Sequence, residues 1–252
     1  MTAARERLAL LAALVAVSAL GWTYLVRHSV AMDAMEAMPR GGGHFAMILG
    51  MWVVMMAAMM LPSAAPAVLV HAAASRQMAP AAQARWRSAA FVAGYFAVWT
   101  AFSAAAAALQ VWLERIALLS PTLVDASPLF GGLVVAAAGV YQLTPAKDVC
   151  LRHCRTPLQF VAENWRPGSF GALRMGLWHG AYCVGCCWAL MALLFVVGVM
   201  NLVWVAAIAA FVLLEKVAFA GTRTGRLVTG CGLVLAGVVL ALAGGPAHPT
   251  NP

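Results

Sequence analysis

Four residues that can bind a metal or carry out thiol chemistry lie close together in the stretch HGAYCVGCCWALM. They are His179, Cys183, Cys186 and Cys187. A helix advances about 100° per residue, so all four fall on an arc about 100° wide, the width of one helix face. Thiolate and imidazole are the ligands that zinc and copper(I) take in proteins, so this face is a candidate metal site.

A second cluster, CLRHC, carries Cys150 and Cys154 four residues apart, with His153 between them. Residues four apart share one face of a helix. The sixth cysteine, Cys231, is isolated and is interpreted as a packing residue. The sequence therefore predicts metal ligation by Cys150, Cys154, His179, Cys183, Cys186 and Cys187, with His153 as a secondary candidate. Thiol redox chemistry and plain packing are the alternatives.

The elements that must position these side chains are membrane helices. Hydrophobic residues make up 64% of the chain and charged residues 10%, against roughly 45–50% and about 25% in soluble domains. Runs of about 20 apolar residues are long enough to span a bilayer.

We predict one all-α polytopic bundle over residues 1–252. Its seven helices would lie near 8–26, 44–61, 88–113, 128–143, 179–200, 202–219 and 227–243, with a long cytoplasmic loop at 144–176. Thr144-Pro145 and Pro157 are typical of the start and end of a short helix in that loop, which we expect at the membrane interface.

The positive charges predict an orientation. With the N-terminus in the cytoplasm, 13 of the 16 Lys and Arg residues fall in inside segments, and only Arg27, Arg40 and Arg115 fall outside. Such a bias is typical of inner-membrane proteins, and it places the C-terminus in the periplasm. The net charge of +8 is then explained by topology, so we expect a lipid bilayer and no nucleic acid as partner. A cleavable signal peptide at the N-terminus is an alternative reading of the first run.

Methionines favour copper over zinc. Met32, Met35 and Met38 recur in the outer loop, and the second helix carries a row that includes Met55 and Met59. Thioethers are soft ligands that suit copper(I). We therefore name these five methionines as candidates for a secondary or relay site, although methionine is also a common packing residue. Copper(I) is the favoured ion, and zinc remains the alternative.

Glu215 is a rare acidic residue inside an apolar run. Ionisable residues within membrane helices commonly mark function. Glu215 is a candidate metal ligand, a partner of a ligand, or an acceptor for protons released from thiols. The alternative is an end-of-helix charge that reaches the interface.

The segments AMMLPSAAP, YQLTPAKDVCLRHCRTP, RMGLWHGAYCVGCCWALMALLFVVGVMNL and LLEKVAF together resemble a bacterial family of predicted metal-binding integral membrane proteins. The resemblance covers about residues 47–230. It implies a helical membrane fold and a metal site on Cys150, Cys154, His179, Cys183, Cys186 and Cys187. The methionines of the outer loop lie outside it.

The sequence therefore predicts a multi-pass inner-membrane protein that binds copper(I) for handling or transfer, with a metal donor or acceptor protein as partner. We expect no catalytic residues. The alternative from another class is a membrane thiol-disulfide oxidoreductase that uses the C-x-x-C of Cys183 and Cys186.

Overall fold

Helices account for the regular structure of the residues that the structure describes. The computed structural model describes residues 3–29, 42–116, 128–199, 201–218 and 222–243. Within these ranges there are helices and no strands, which confirms the predicted all-α class. The helices are α1 (Ala3–Ser29), α2 (Gly42–Met78), α3 (Ala81–Arg115), α4 (Pro128–Leu143), α5 (Pro145–Arg155), α6 (Pro157–Asn164), α7 (Gly168–Ala192), α8 (Leu194–Val197), α9 (Leu202–Val217) and α10 (Arg223–Ala243).

Five stretches of the described chain are long and apolar enough to cross a membrane: Ala4–Arg27, Gly43–Met78, Ala81–Arg115, Gly168–Val197 and Arg223–Ala243. The helices α4 and α5 pass the same test only as a pair, bent by 67°. The 16-residue helix α9 is shorter than the ~20 residues of an ordinary span. The expected seven spans are thus approximate, because apolar composition alone does not reveal where a helix ends.

Two compact units make up the chain. The first contains Met1–Ala108 and Asp148–Cys186, and the second contains Leu109–Lys147 and Cys187–Pro252. The boundaries fall inside α3, α5 and α7, so those helices contribute to both units.

In the first unit, α2 continues far beyond the predicted end at residue 61. Pro62 and Pro66 lie inside this 37-residue helix. Pro62 has no N–H to donate to the carbonyl of Ala58, four residues earlier. That carbonyl instead accepts a hydrogen bond from Ser18 Oγ on α1, at 2.8 Å. A neighbouring helix thus satisfies the group that proline leaves, which is how membrane helices tolerate proline.

Glycines bring α3 and α7 into close contact in the same unit. A Cβ added at Gly94 would collide with the carbonyl oxygen of Leu173, and one at Gly176 with that of Phe91. Small residues at such spacing let membrane helices pack backbone to backbone. The cysteine-bearing helix also begins at Gly168, eleven residues before the predicted start, because Gly168 (φ 81°) permits the turn that precedes it. The predicted loop at 144–176 is accordingly mostly helical, and the short helix expected after Thr144 is confirmed as α5.

In the second unit, α4 and α10 pack through glycines. A Cβ at Gly132 would lie 2.5 Å from the carbonyl oxygen of Gly237, and one at Gly139 would lie 2.7 Å from that of Gly230. The turn before α9 uses Gly198, with φ 88°, and Asn201, whose side chain caps the helix by accepting a hydrogen bond from the N–H of Trp204. Both are residue types that such positions favour.

Candidate metal site

The helix α5 brings the CLRHC cluster to the cysteine-bearing face of α7. A Cβ at Gly185 would lie 2.7 Å from Cys150 Sγ, so the Cys150 thiol rests directly against that glycine. His153 stacks on Tyr182, with ring centroids 4.0 Å apart and planes 2° apart. Cys150 contacts Gly185 and His153 contacts Tyr182, so α5 and α7 run antiparallel. The two sequence clusters, separate in the chain, are therefore neighbours in the first unit.

Two thiols lie one helical turn apart on α7. Cys183 and Cys186 have 0% and 1% of their surface exposed. Cys186 Sγ donates a hydrogen bond to the carbonyl oxygen of Cys183, at 3.1 Å. Cys150 Sγ lies against Gly185, the residue that directly precedes Cys186 in the chain. Three sulfur atoms from two helices thus lie in one small region.

Tyr95 on α3 connects this region to the methionine-rich helix. Its hydroxyl lies 3.2 Å from Cys183 Sγ and donates to the carbonyl oxygen of Met60, at 3.2 Å. Because the Tyr95 hydroxyl donates its hydrogen bond to the Met60 carbonyl, the Cys183 thiol can donate a hydrogen bond to the Tyr95 oxygen. Sequence reasoning missed Tyr95, because nothing in the stretch YFAVW distinguishes it from an ordinary packing aromatic. The glycine contacts between α3 and α7 are what place it beside Cys183.

The predicted ligand His179 is enclosed by aromatic rings. It is 2% exposed, and its ring centroid lies 5.1 Å from that of Phe160, 5.8 Å from that of Tyr95 and 5.9 Å from that of Phe91. His153, by contrast, is partly exposed, and its Nδ1 lies 2.8 Å from the carbonyl oxygen of Val149. When Nδ1 is the protonated nitrogen, Nε2 keeps the lone pair that a metal ligand needs.

The two remaining predicted ligands, Cys154 and Cys187, are buried cysteines. Cys154 is buried one turn beyond Cys150, and Cys187 is buried in the part of α7 that belongs to the second unit. Across the described residues, no three His, Cys, Asp or Glu side chains are positioned to hold a metal ion. A sulfur site would therefore require the thiols to reorient, and each cysteine does so by rotation about a single side-chain bond.

The methionines divide into two groups. Met32, Met35 and Met38 lie outside the described residues. Met55 and Met59 on α2 are buried, but so are Met56 and Met60 on another side of the same helix. Burial therefore does not single out the predicted row, and the role of these thioethers stays a prediction.

Glu215 has partners that the sequence did not reveal. In the second unit its two carboxylate oxygens accept hydrogen bonds from Lys147 Nζ, at 2.9 and 2.7 Å, and one also accepts from Gln142 Nε2, at 3.1 Å. Lys147 and Glu215 side chains are 0% and 1% exposed. A part for Glu215 in metal binding would require breaking this ion pair. The lysine stands 68 residues earlier in the chain, so no local pattern could have indicated the contact.

Comparison with known proteins identifies the metal that this family handles. No curated protein and no solved structure matches the chain. The model of one family, described as "PpoB2: Copper chaperone", matches residues 49–240. The match covers about three quarters of the chain and includes every cysteine in the two clusters. The chain therefore belongs to this copper chaperone family.

Proposed function

We propose that this chain is a multi-pass inner-membrane protein that binds copper(I) through the thiolates of Cys150, Cys183 and Cys186 and passes the ion to a protein partner. The observation that carries the proposal is the seating of Cys150 Sγ against Gly185, beside the two thiols of α7. Thiolates are soft ligands that select copper(I). The copper chaperone family and the membrane-length helices support the proposal.

The exposure of the three thiols suggests the order in which they act. Cys150 is partly exposed, whereas Cys183 and Cys186 are buried. An incoming ion therefore meets Cys150 first, and a departing ion leaves it last. Transfer to a partner proceeds by ligand exchange, in which a thiol of the partner replaces a thiol of this chain. His153, stacked beside the site, offers its Nε2 as a further ligand during exchange.

Binding displaces the thiol hydrogen bonds. Cys183 gives up its S–H hydrogen bond to the Tyr95 oxygen, and Cys186 gives up its hydrogen bond to the Cys183 carbonyl, as each sulfur binds the metal. Each thiol must lose its proton to become a ligand. The tyrosine hydroxyl is then positioned to donate a hydrogen bond to the Cys183 thiolate. The remaining predicted ligands, Cys154, His179 and Cys187, and the relay methionines are further proposals, each of which needs its own variant in the same copper-binding experiment.

The test is copper binding by the full chain, purified and loaded with copper(I) under anaerobic conditions. We expect stoichiometric copper in the wild type and an X-ray absorption spectrum dominated by sulfur ligands. The variant Cys183→Ser/Cys186→Ser should lose the ion, and Cys150→Ser should bind it more weakly. Cys231→Ser is the matched control, since Cys231 is exposed on α10 and away from both clusters in sequence, and it should bind normally.

Two results would overturn the proposal. Equal copper in the wild type and in Cys183→Ser/Cys186→Ser would exclude these thiols as the site. A disulfide between Cys183 and Cys186 that forms and opens with redox potential, with no metal bound, would instead support thiol-disulfide exchange. Zinc bound at the same thiols in preference to copper would keep the site and change the cargo.

A further inference from the structure

A large cavity in the first unit lies apart from the thiols, between α1, α2 and α3. It has a volume of about 1330 Å³ and opens to the surface. This exceeds the roughly 300–1,000 Å³ of pockets that hold drug-sized ligands. Most of its lining is aliphatic or alanine, with Val17, Leu61 and Phe96 at one end. A long apolar molecule would suit such walls.

The charged residues that line the cavity are gathered at its other end. Arg7 on α1, Arg76 on α2 and Arg85 on α3 meet there with the single acidic residue Glu6. Glu6 forms ion pairs with Arg76 and, at 3.8 Å, with Arg85. Three guanidinium groups against one carboxylate leave a positive excess, and the Arg85 side chain is 61% exposed. Arginine forms paired hydrogen bonds with phosphate oxygens, so this end suits a phosphate group.

The depth of the cavity matches one leaflet of a bilayer. Two contacts show that α1 and α2 pack antiparallel: the hydrogen bond from Ser18 to the Ala58 carbonyl and the ion pair of Glu6 with Arg76. From Glu6 to Val17 the helix rises about 16 Å at ~1.5 Å per residue. Half of the ~30 Å hydrocarbon core is about 15 Å. A ligand with its head at the arginines would therefore place its apolar chains within one leaflet.

We propose that this cavity binds an anionic phospholipid, with the phosphate group at Arg7 and Arg85 and the acyl chains between α1, α2 and α3. We infer an anionic occupant because the arginine end of the cavity carries an excess of positive charge. We infer a lipid because the rest of the cavity is deep and lined by apolar side chains. The positive-inside pattern of the sequence assigns the arginine end to the cytoplasmic leaflet, where anionic lipids are concentrated. The lipid would tie α1 to the α2–α3 pair.

The test uses the full chain in nanodiscs that contain equal amounts of phosphatidylglycerol and phosphatidylcholine. The protein is then extracted with mild detergent, and the retained lipid is identified by native mass spectrometry, which also confirms that α1 is present. We expect the wild type to keep phosphatidylglycerol in preference to phosphatidylcholine. Arg7→Gln and Arg85→Gln should each reduce its retention roughly fivefold. Arg5→Gln, an exposed neighbour that does not line the cavity, should have no effect.

A second variant separates the apolar part from the charges. Ala93→Trp fills the cavity from the exposed side of α3 and should abolish lipid retention with every arginine intact. Ala97→Trp, one turn further along the exposed side of α3 and outside the cavity, is its control. Equal retention of the two lipids, or lipid unaffected by Arg7→Gln, Arg85→Gln and Ala93→Trp, would overturn the proposal. So would a dimer mass or a bound quinone in place of the lipid. None of these outcomes depends on copper binding.

Discussion

The Glu215 carboxylate of the second unit and the α7 thiols of the first unit are buried with different kinds of partner. The second unit buries a full ion pair, in which Glu215 uses both carboxylate oxygens on Lys147 and one on Gln142. The first unit buries the thiols of Cys183 and Cys186, whose hydrogen bonds are to a hydroxyl and a carbonyl. A thiol is a weak donor, so exchanging these contacts for a metal costs little. Exchanging the contacts of Glu215 would leave an ammonium group buried without a counter-charge.

This difference separates structure from chemistry. Acidic residues inside membrane helices are often functional, but this carboxylate already neutralises a buried ammonium group and accepts three hydrogen bonds from Lys147 and Gln142. We therefore expect the ion pair to determine stability and the thiols to determine copper binding. The two effects should be experimentally separable.

The largest effect is expected from breaking the ion pair. Glu215→Gln or Lys147→Met leaves one buried charge without its partner and should lower the free energy of unfolding by about 3–5 kcal/mol. The double variant Lys147→Met/Glu215→Met removes both charges and should recover most of that loss, since apolar residues of similar size can replace a buried pair. The measurement is denaturant-induced unfolding in mixed micelles.

Arg152→Gln supplies the control, because it removes an exposed pair with Asp148, at 3.7 Å, which should be worth about 0–1 kcal/mol. The double variant should also bind as much copper per folded molecule as the wild type. Loss of copper in that variant would show that Glu215 contributes to the metal site, as its sequence context first suggested. A single variant no less stable than Arg152→Gln would show that the pair does not stabilise the fold.

Sequence was informative wherever the signal was local. Apolar runs indicated the helices, Thr144-Pro145 marked the start of α5, and the i, i+3 spacing put Cys183 and Cys186 on one helix face. Contacts between distant segments had no such signal. Tyr95 contacts Cys183 through α3–α7 packing that glycines permit, and Lys147 contacts Glu215 across 68 residues of chain. The continuation of α2 through Pro62 was missed for the same reason, because Ser18 on another helix satisfies the freed carbonyl.

A smaller effect is expected at Gly185. In Gly185→Ala the new Cβ would lie 2.7 Å from Cys150 Sγ, too close for either atom to stay in place, so the Cys150 thiol is displaced while every thiol remains. We expect copper(I) affinity to fall about tenfold, or ~1.4 kcal/mol. The measurement is anaerobic competition with a copper(I) chelator.

Gly50→Ala is the matched control, since a Cβ there meets no atom within 4 Å. If Gly185 acts through Cys150, the effects of Gly185→Ala and Cys150→Ser on copper(I) affinity should not be additive. Gly185→Ala should weaken binding little further in a Cys150→Ser background. Full additivity would show that Gly185→Ala perturbs α7 itself rather than the position of the thiol.

The smallest effect is expected from Tyr95→Phe, which keeps the ring and removes the hydroxyl. The Met60 carbonyl oxygen loses the hydrogen bond from Tyr95 but keeps the one that it accepts from Ser63 Oγ, at 2.9 Å. Cys183 loses its contact with the tyrosine oxygen. Stability should fall by about 0.5–1.5 kcal/mol, the net value of one buried hydrogen bond, and copper(I) affinity by less than the Gly185→Ala loss.

Chelator competition in a Cys183→Ser background determines what the hydroxyl does. As a positioning residue for the thiolate, Tyr95 should affect residual copper affinity only while Cys183 is present, so Tyr95→Phe should be silent once that thiol is removed. An equal loss of affinity in both backgrounds would make Tyr95 a packing residue of the α3–α7 interface. In that case the orientation of Cys183 would depend on α7 alone, and the glycine contacts between α3 and α7 would serve the stability of the first unit rather than its copper chemistry.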